Sequence, residues 1–467
     1  MPSAEEVFAR EHAAARERFY GGAMTAADWD RWRRARLAAV LRHVTERSPF
    51  YRKHLAGIDV GGITPDTLAA LPYTTKEHLR DAQYDVLAGE VAEARIFYET
   101  NGTTGPPTPC PRGARDILAS NSAVEESWRR FLAARFGTRR PVVGLMGPSE
   151  LYAFGDVFTA VTGVLDLCHV KIWPESPRVG FAKALRLIRD LGVEVVVCAP
   201  ALCLSLAKAA QYHGYDLDEL PITTFLVLGE ICSPEYAANV ASVWPRAEVF
   251  PILYGSQEAL CVATGAVDGL LHLSELNYLV ELVDPDTGEL VGDHGEGELV
   301  LTMLVDGIKP LIRYRTGDLV RLRPEPPGAP MPGRIVEVAG RVNDRLRVGG
   351  ALLRPVELEA AVLRDVRGCL GYQVVITSDR QGRDELTVRL ELLPWADHAR
   401  VEKEVATGLR ELTGAATTVV IDTDLDPVTS TGAFVSWKAA RIVDHRTEPD
   451  GAALVAREVA HRFSVTR

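Results

Sequence analysis

The run VEVVVCAP, residues 193–200, holds four valines and a cysteine around one glutamate and closes on Ala-Pro. β-Branched residues favour extended backbone, and an unbroken apolar run, rather than an alternating one, marks a strand covered on both faces. Pro200 cannot donate to a strand ladder, so the strand ends before it. Three similar runs flank this one: PVVGLM at 141–146, TTFLVLG at 223–229 and AEVFPILY at 247–254. The stretches between them suit helices, notably Phe181 to Asp190 and Leu202 to Tyr212. Buried strands alternating with helices predict an α/β fold with a largely parallel sheet.

Outward from this centre the texture changes. Leu37, Val40, Leu41 and Val44 recur at helical spacing, predicting an amphipathic helix over 25–47. Beyond 275, YLVELVDPDTGELV, GELVLTML and LIRYRTGDLVRL read as strands joined by Asp/Gly turns, a β-rich subdomain. A Pro/Gly loop, RPEPPGAPMPGR, occupies 323–334. Residues 355–421 then read as helix, two strands, helix and strand. The expected organisation is a large N-terminal domain, 1–340, and a small α+β domain, 341–467. The stretch GAALVAREVAHRF, at 451–463, reads as a further helix.

A chain of 467 residues exceeds one ordinary core. Apolar content of 47% with 25% charged residues predicts a soluble globular protein. The net charge of −11 argues against broad binding to nucleic acid or anionic membranes, which needs a basic face. No run of about 18 apolar residues occurs, so no membrane span is expected. The seven cysteines, 110, 168, 198, 203, 232, 261 and 369, form no CxxC pattern and read as reduced, mostly buried thiols of a cytoplasmic protein. His272 lacks cysteines at zinc-ligand spacing and reads as structural or pocket-lining.

Chemistry is suggested first by YETNGTTGPPTPCPRG, 98–113, which follows the short apolar run RIFYE. Gly102 and Gly105 free the backbone to turn several N–H groups toward an anion, and Thr100, Thr103 and Thr104 add hydroxyls. The spacing is not that of the lysine-containing mononucleotide loop. In YGSQEA, 254–259, Glu258 follows a strand, where a carboxylate suits Mg²⁺. In YRTGDL, Asp318 offers two oxygens to a pair of hydroxyls. In VSWKAARIVDHR, Lys438 follows a Ser/Thr/Gly-rich loop and suits a developing phosphate charge. Taken singly, each has an ordinary structural explanation: a polar turn, a first-turn glutamate, a turn aspartate, a solvated lysine.

Their order is more telling. The loop, YGxxE, YRTGDL, GRxND and a late lysine together resemble the adenylate-forming superfamily of acyl-CoA synthetases, luciferases and peptide-synthetase adenylation domains. RHVTERSPFYRKHL, LPYTTKEHLRD and the closing WKAARIVDHR narrow the resemblance to phenylacetate–CoA ligases, from about residue 35 to 446. The resemblance implies ATP-dependent activation of a carboxylic acid as acyl-AMP, then transfer to a thiol, with ATP, Mg²⁺ and coenzyme A as cofactors. It places Thr103, Thr104 and Gly105 at the phosphates and Glu258 at Mg²⁺. Gly229, Glu230 and Tyr254 fall at the adenine, and Asp318 at the ribose. Arg341 would also touch the nucleotide, and Lys438 would bridge the carboxylate and the α-phosphate. It also implies rotation of the small, mobile domain about Asn343, and a pantetheine tunnel bordered by Gly350. Transfer to an amine or a carrier protein, and a catalytically silent nucleotide binder, are the alternatives.

Three departures stand out. The loop reads GTTGPP where relatives commonly have GTTGKP, and Arg112 is expected to supply the lost charge. Asn343 replaces the usual aspartate or lysine. Gly350 in RVGGAL is explained equally by the turn itself. The acid pocket is expected within PSELYAFGD, where Tyr152 and Phe154 suit an aromatic ring. Glu150 and Asp156 there suggest an amino- or hydroxy-bearing aryl acid, unless both face solvent.

Overall fold

The computed structural model describes residues 3–100, 106–422, 425 and 441–446. The chain forms two units: one of residues 1–137, 149–165 and 253–338, the other of 138–148, 166–252 and 339–467.

The second unit contains the parallel sheet foreseen from its valine runs. Its strands lie in the order Thr224–Leu228, Val193–Cys198, Val142–Met146, His169–Lys171, all parallel. Val193, Val195, Val196, Val197 and Cys198 are all fully buried, as continuous burial on both faces requires. Helices Gly180–Leu191, Pro200–Tyr212 and Pro234–Val243 connect or follow these strands. The first ends in left-handed Gly192, φ +64°, and Pro200 starts the next, where its missing N–H costs nothing.

The same unit holds a four-stranded sheet ordered Ala416–Ile421, Asp384–Leu392, Cys369–Ser378, Ile442–Asp444, with helices Pro355–Leu363 and His398–Thr413. One apolar cluster runs through both sheets, from Phe181, Leu202 and Trp244 to Leu358, Val374 and Leu409. At about 1.5–3 kcal/mol for each fully buried large aliphatic side chain, this shared core is the unit's main stabilising feature. Asn239 adds direction, donating to Cys369 O at 2.8 Å and accepting from Cys369 N at 2.9 Å.

In the first unit, helix Ala26–Arg47 begins at a Thr25/Asp28 capping box. Its predicted stripe of Leu37, Val40, Leu41 and Val44 is buried against the antiparallel strands Tyr278–Val283, Gly295–Met303 and Tyr314–Arg323. Helix Ala114–Phe136 packs on Leu260–Gly265. The strand Glu248–Ser256 carries the chain from the second unit into the first.

Two elements were not foreseen. The segment ahead of residue 25 forms a helix, Ala4–Tyr20. The proline-rich PCPR is a strand, Pro109–Arg112, paired antiparallel with Ile96–Glu99. Proline is tolerated in such a short two-stranded ladder because half of its N–H groups need no partner. Among the described residues, no helix is long and apolar enough to cross a membrane.

Candidate active site

In sequence the glycine-threonine stretch falls between the two strands, Ile96–Glu99 and Pro109–Arg112, of a short antiparallel hairpin. Ile96 pairs with Arg112 and Glu99 with Pro109. Thr108 N donates to Thr100 Oγ1 at 2.9 Å, and Thr100 N to Thr108 O at 3.2 Å, closing its base. Thr103, Thr104 and Gly105 lie outside the described residues, as does Lys438.

Arg112 corrects the expectation placed on it. Its side chain is fully buried, and its guanidinium donates to the carbonyls of Gln257, Glu258 (2.6 Å) and Lys309 (3.4 Å). A guanidinium committed to backbone carbonyls in the interior holds the turn that carries Glu258. Its charge is enclosed by the protein and spent on these carbonyls. Lys309, missed in the sequence, is also fully buried, with Nζ donating to Pro109 O at 2.8 Å and lying 3.0 Å from Cys110 Sγ. Its only advance signal was its place just ahead of the YRTGDL strand. Asp116 Oδ2 accepts from Gly113 N at 2.8 Å and Ile308 N at 3.0 Å, tying the start of helix Ala114–Phe136 to the same region.

Glu258 lies in the turn between Glu248–Ser256 and Leu260–Gly265 and is nearly buried. The turn depends on Gly255, where a Cβ would stand 2.0 Å from Leu260 O. Tyr254, three residues before Gln257, donates its hydroxyl to Asp318 Oδ2 at 2.7 Å. Asp318 lies inside the strand Tyr314–Arg323, at an irregularity opposite Glu298 to Val300, and not in a turn. Asp318 N donates to Thr316 Oγ1 at 3.1 Å, and Gly317, at φ +75°, donates to Glu298 Oε1 at 3.0 Å. Thus Tyr254 and Asp318, nominated separately, meet.

The proposed acid-pocket residues divide. Glu150 is exposed and accepts from Ser149 N; Asp156 is exposed and accepts from Tyr98 OH at 3.2 Å. Phe154 is buried edge-on against Phe158, 5.1 Å between ring centres, with Trp128 beyond. Tyr152 is half-buried, and burial, with the Glu99 charge, raises its phenol above the usual range.

In the second unit, Gly229 takes φ +85° at the end of Thr224–Leu228, and the Glu230 side chain beside it is 5% exposed. Burial pushes the Glu230 carboxyl up, against the opposing pull of Arg441 and of the Ala201 N–H, which donates at 3.3 Å. Arg341 and Asn343 are exposed, at the end of Ile335–Arg341 and in the turn after it. Gly349 and Gly350, φ +58° and +94°, form the two-residue turn between Leu346–Val348 and Ala351–Leu353, a conformation that demands glycine. His272 is buried and pairs with Asp268 at 3.1 Å, a structural contact.

Among the described residues no cluster of three or more metal-ligating side chains occurs. A single strand-end carboxylate, Glu258, fits Mg²⁺, which binds through one or two carboxylates and a nucleotide's phosphates. Five cysteines are buried, Cys232 is partly so, and Cys168 is exposed.

The AMP-binding enzyme family matches residues 93–303. The phenylacetate-coenzyme A ligase of Thermus thermophilus is 30% identical over 387 residues, 76% of this chain and 80% of that one. That of Aromatoleum evansii is 29% identical over 438 residues, covering 88% and 93%. In fold, the chain is similar to a 2-hydroxyisobutyryl-CoA ligase solved with an acyl-AMP, with a TM-score of 0.76 at 19% identity over 96% of this chain and 94% of that one. The family match and these relatives define an adenylate-forming α/β enzyme. More narrowly, the chain belongs to the phenylacetate–CoA ligase family.

Proposed function

We propose that the protein is an AMP-forming acid–thiol ligase that activates an aryl carboxylic acid with ATP and passes the acyl group to coenzyme A. The Tyr254–Asp318 hydrogen bond supports this reading most directly, because it unites an aromatic ring suited to adenine with a carboxylate suited to ribose. The relatives named as phenylacetate–CoA ligases support the aryl acid and the CoA acceptor.

In the first half-reaction a carboxylate oxygen attacks the α-phosphorus and pyrophosphate leaves. In the second the CoA sulfur attacks the acyl carbon and AMP leaves. Asp318 would accept from the ribose hydroxyls, with Tyr254 fixing its rotamer. Gly229 and Glu230 would border the adenine, and Arg341 would contact the nucleotide. The N–H groups and hydroxyls around Thr103, Thr104 and Gly105 would hold the phosphates without a loop lysine. Glu258 would hold Mg²⁺, which supplies neutralisation of phosphate charge when bound. Lys438 would bridge the two reacting anions, so positioning and charge neutralisation carry most of the catalysis. Asn343 would be the hinge between the two half-reactions, with the smaller domain, 341–467, turning about it, and Gly350 would border the CoA channel.

Tyr152 and Phe154 would contribute to the acid pocket. Because Glu150 and Asp156 are exposed, no buried carboxylate argues for an amino or hydroxyl substituent, and an unadorned aryl acid is the simpler substrate. The test is incubation with ATP, Mg²⁺, CoA and a panel of aryl and alkyl acids. Formation of aryl-CoA with stoichiometric AMP is expected. Consumption of ATP to ADP, or no thioester with any aryl acid, would exclude the proposal.

A further inference from the structure

Arg441 is buried, 4% exposed, among residues far from it in sequence. Its Nη1 lies 3.4 Å from Glu359 Oε2 and its Nη2 3.9 Å from Glu230 Oε2. The guanidinium sits over the ring of Tyr236 at 4.9 Å and of Tyr372 at 5.5 Å. Each neighbour is itself fixed. Glu359 accepts from Ser233 Oγ at 3.1 Å and from the Tyr372 hydroxyl, and Tyr236 OH donates to Pro200 O at 2.9 Å. Two carboxylates, two phenols and one guanidinium thus share a water-poor volume in which each ion depends on the others.

The two carboxylates come from different parts of the second unit. Glu230 follows the strand Thr224–Leu228, at the carboxyl end, where ligands bind in open α/β sheets. Glu359 lies on helix Pro355–Leu363. Arg441 immediately precedes Ile442–Asp444 and stands three residues beyond Lys438. A lysine in this position would reach straight chains of charge but lacks the planar fork that meets two carboxylates and stacks on two rings.

We propose that Arg441 is a positioning residue for adenylation: by gripping Glu359 and Glu230 it fixes the chain just beyond Lys438. The inference rests on the proposed function above, in which Lys438 would bridge the carboxylate and the α-phosphate of the first half-reaction.

The test separates the half-reactions in wild type, Lys438→Ala, Arg441→Lys and the near-isosteric Glu359→Gln. Adenylation is followed as acid-dependent ATP–pyrophosphate exchange. Thioester formation is followed from chemically prepared aryl-adenylate and CoA. A loosened anchor is expected to lower the kcat of adenylation by about 100-fold, the scale of a small misplacement, with the ATP KM moving far less. Thioester formation from the supplied adenylate is expected to remain at the wild-type rate. Exchange at the wild-type rate in both Arg441→Lys and Glu359→Gln would overturn the anchor alone. So would a parallel loss of both half-reactions in a variant that melts like wild type. No exchange in the wild type itself would overturn the functional reading, and the anchor with it.

Discussion

The hydroxyl of Tyr254 donates to Asp318 Oδ2 at 2.7 Å, joining the end of one strand to an irregularity within another across 64 residues of sequence. The pair sets an aromatic ring beside a carboxylate, the two groups that the proposed reading assigns to a nucleotide's base and ribose.

Removing that hydroxyl is therefore expected to act on nucleotide affinity. In Tyr254→Phe the ring stays but the Asp318 rotamer loses a hydrogen bond to a charged group, worth about 1.5 kcal/mol. The ATP KM should rise by about tenfold, with the melting temperature nearly unchanged. Steady-state kinetics with ATP varied checks this, and an unchanged KM would detach Tyr254 from the nucleotide.

Arg112 is expected to behave as a structural residue. Arg112→Met leaves the carbonyls of Gln257 and Glu258 without their donor inside the protein. The loss should be on the order of 3 kcal/mol of stability, visible as an earlier urea midpoint. A variant that unfolds like wild type but binds ATP poorly would restore the phosphate-binding role for this residue.

How much of this was legible depends on the range over which each residue acts. The strand Val193–Cys198 is read from six adjacent residues, and helix Ala26–Arg47 from a local repeat, so both are recovered nearly to the residue. Asp318 and Tyr254 are each marked by a local motif, although nothing local says that they touch. Arg112 fails because the outcome turns on which way a four-residue strand faces. Its carbonyl partners lie 145 to 197 residues away. Lys309 and Arg441 fail similarly: a lysine or arginine beside a motif reads as solvated until the fold shows it enclosed. Glu150 and Asp156 carry the opposite lesson, since an acid amid aromatics suggests a pocket when it lies on the exposed side of a loop and helix.

A pH dependence follows from His12. It is buried, bonded to Asn277 Oδ1 at 2.9 Å and flanked by Arg16, Arg36 and the Trp32 ring. Burial above all, and then the two arginine charges, lower its pKa from 6.5 to about 4. Between those values the unfolded chain binds a proton that the folded chain refuses. Stability from this group is full above pH 6.5 and declines as pH falls toward 4, by on the order of 3 kcal/mol. Comparing urea midpoints of wild type and His12→Gln at pH 7 and pH 5 should show a smaller drop in the variant. An equal drop would remove His12 as a cause.

Glu258→Gln tests the cation. The amide preserves shape in the turn held by Arg112 but gives up the charge. Stability should be little altered, while kcat should fall on the order of 100-fold and the Mg²⁺ concentration for half-maximal rate should rise. A full rate at ordinary Mg²⁺ would show that another group holds the ion.

The most direct test of the central claim is aryl-acid-dependent exchange of labelled pyrophosphate into ATP, with coenzyme A omitted, in wild type and Lys438→Ala. Exchange in the wild type that requires an aryl acid, and its loss in the variant, are expected, because acyl-AMP would form before any thiol is engaged. Exchange that ignores the acid, or that appears only when CoA is added, would contradict that claim.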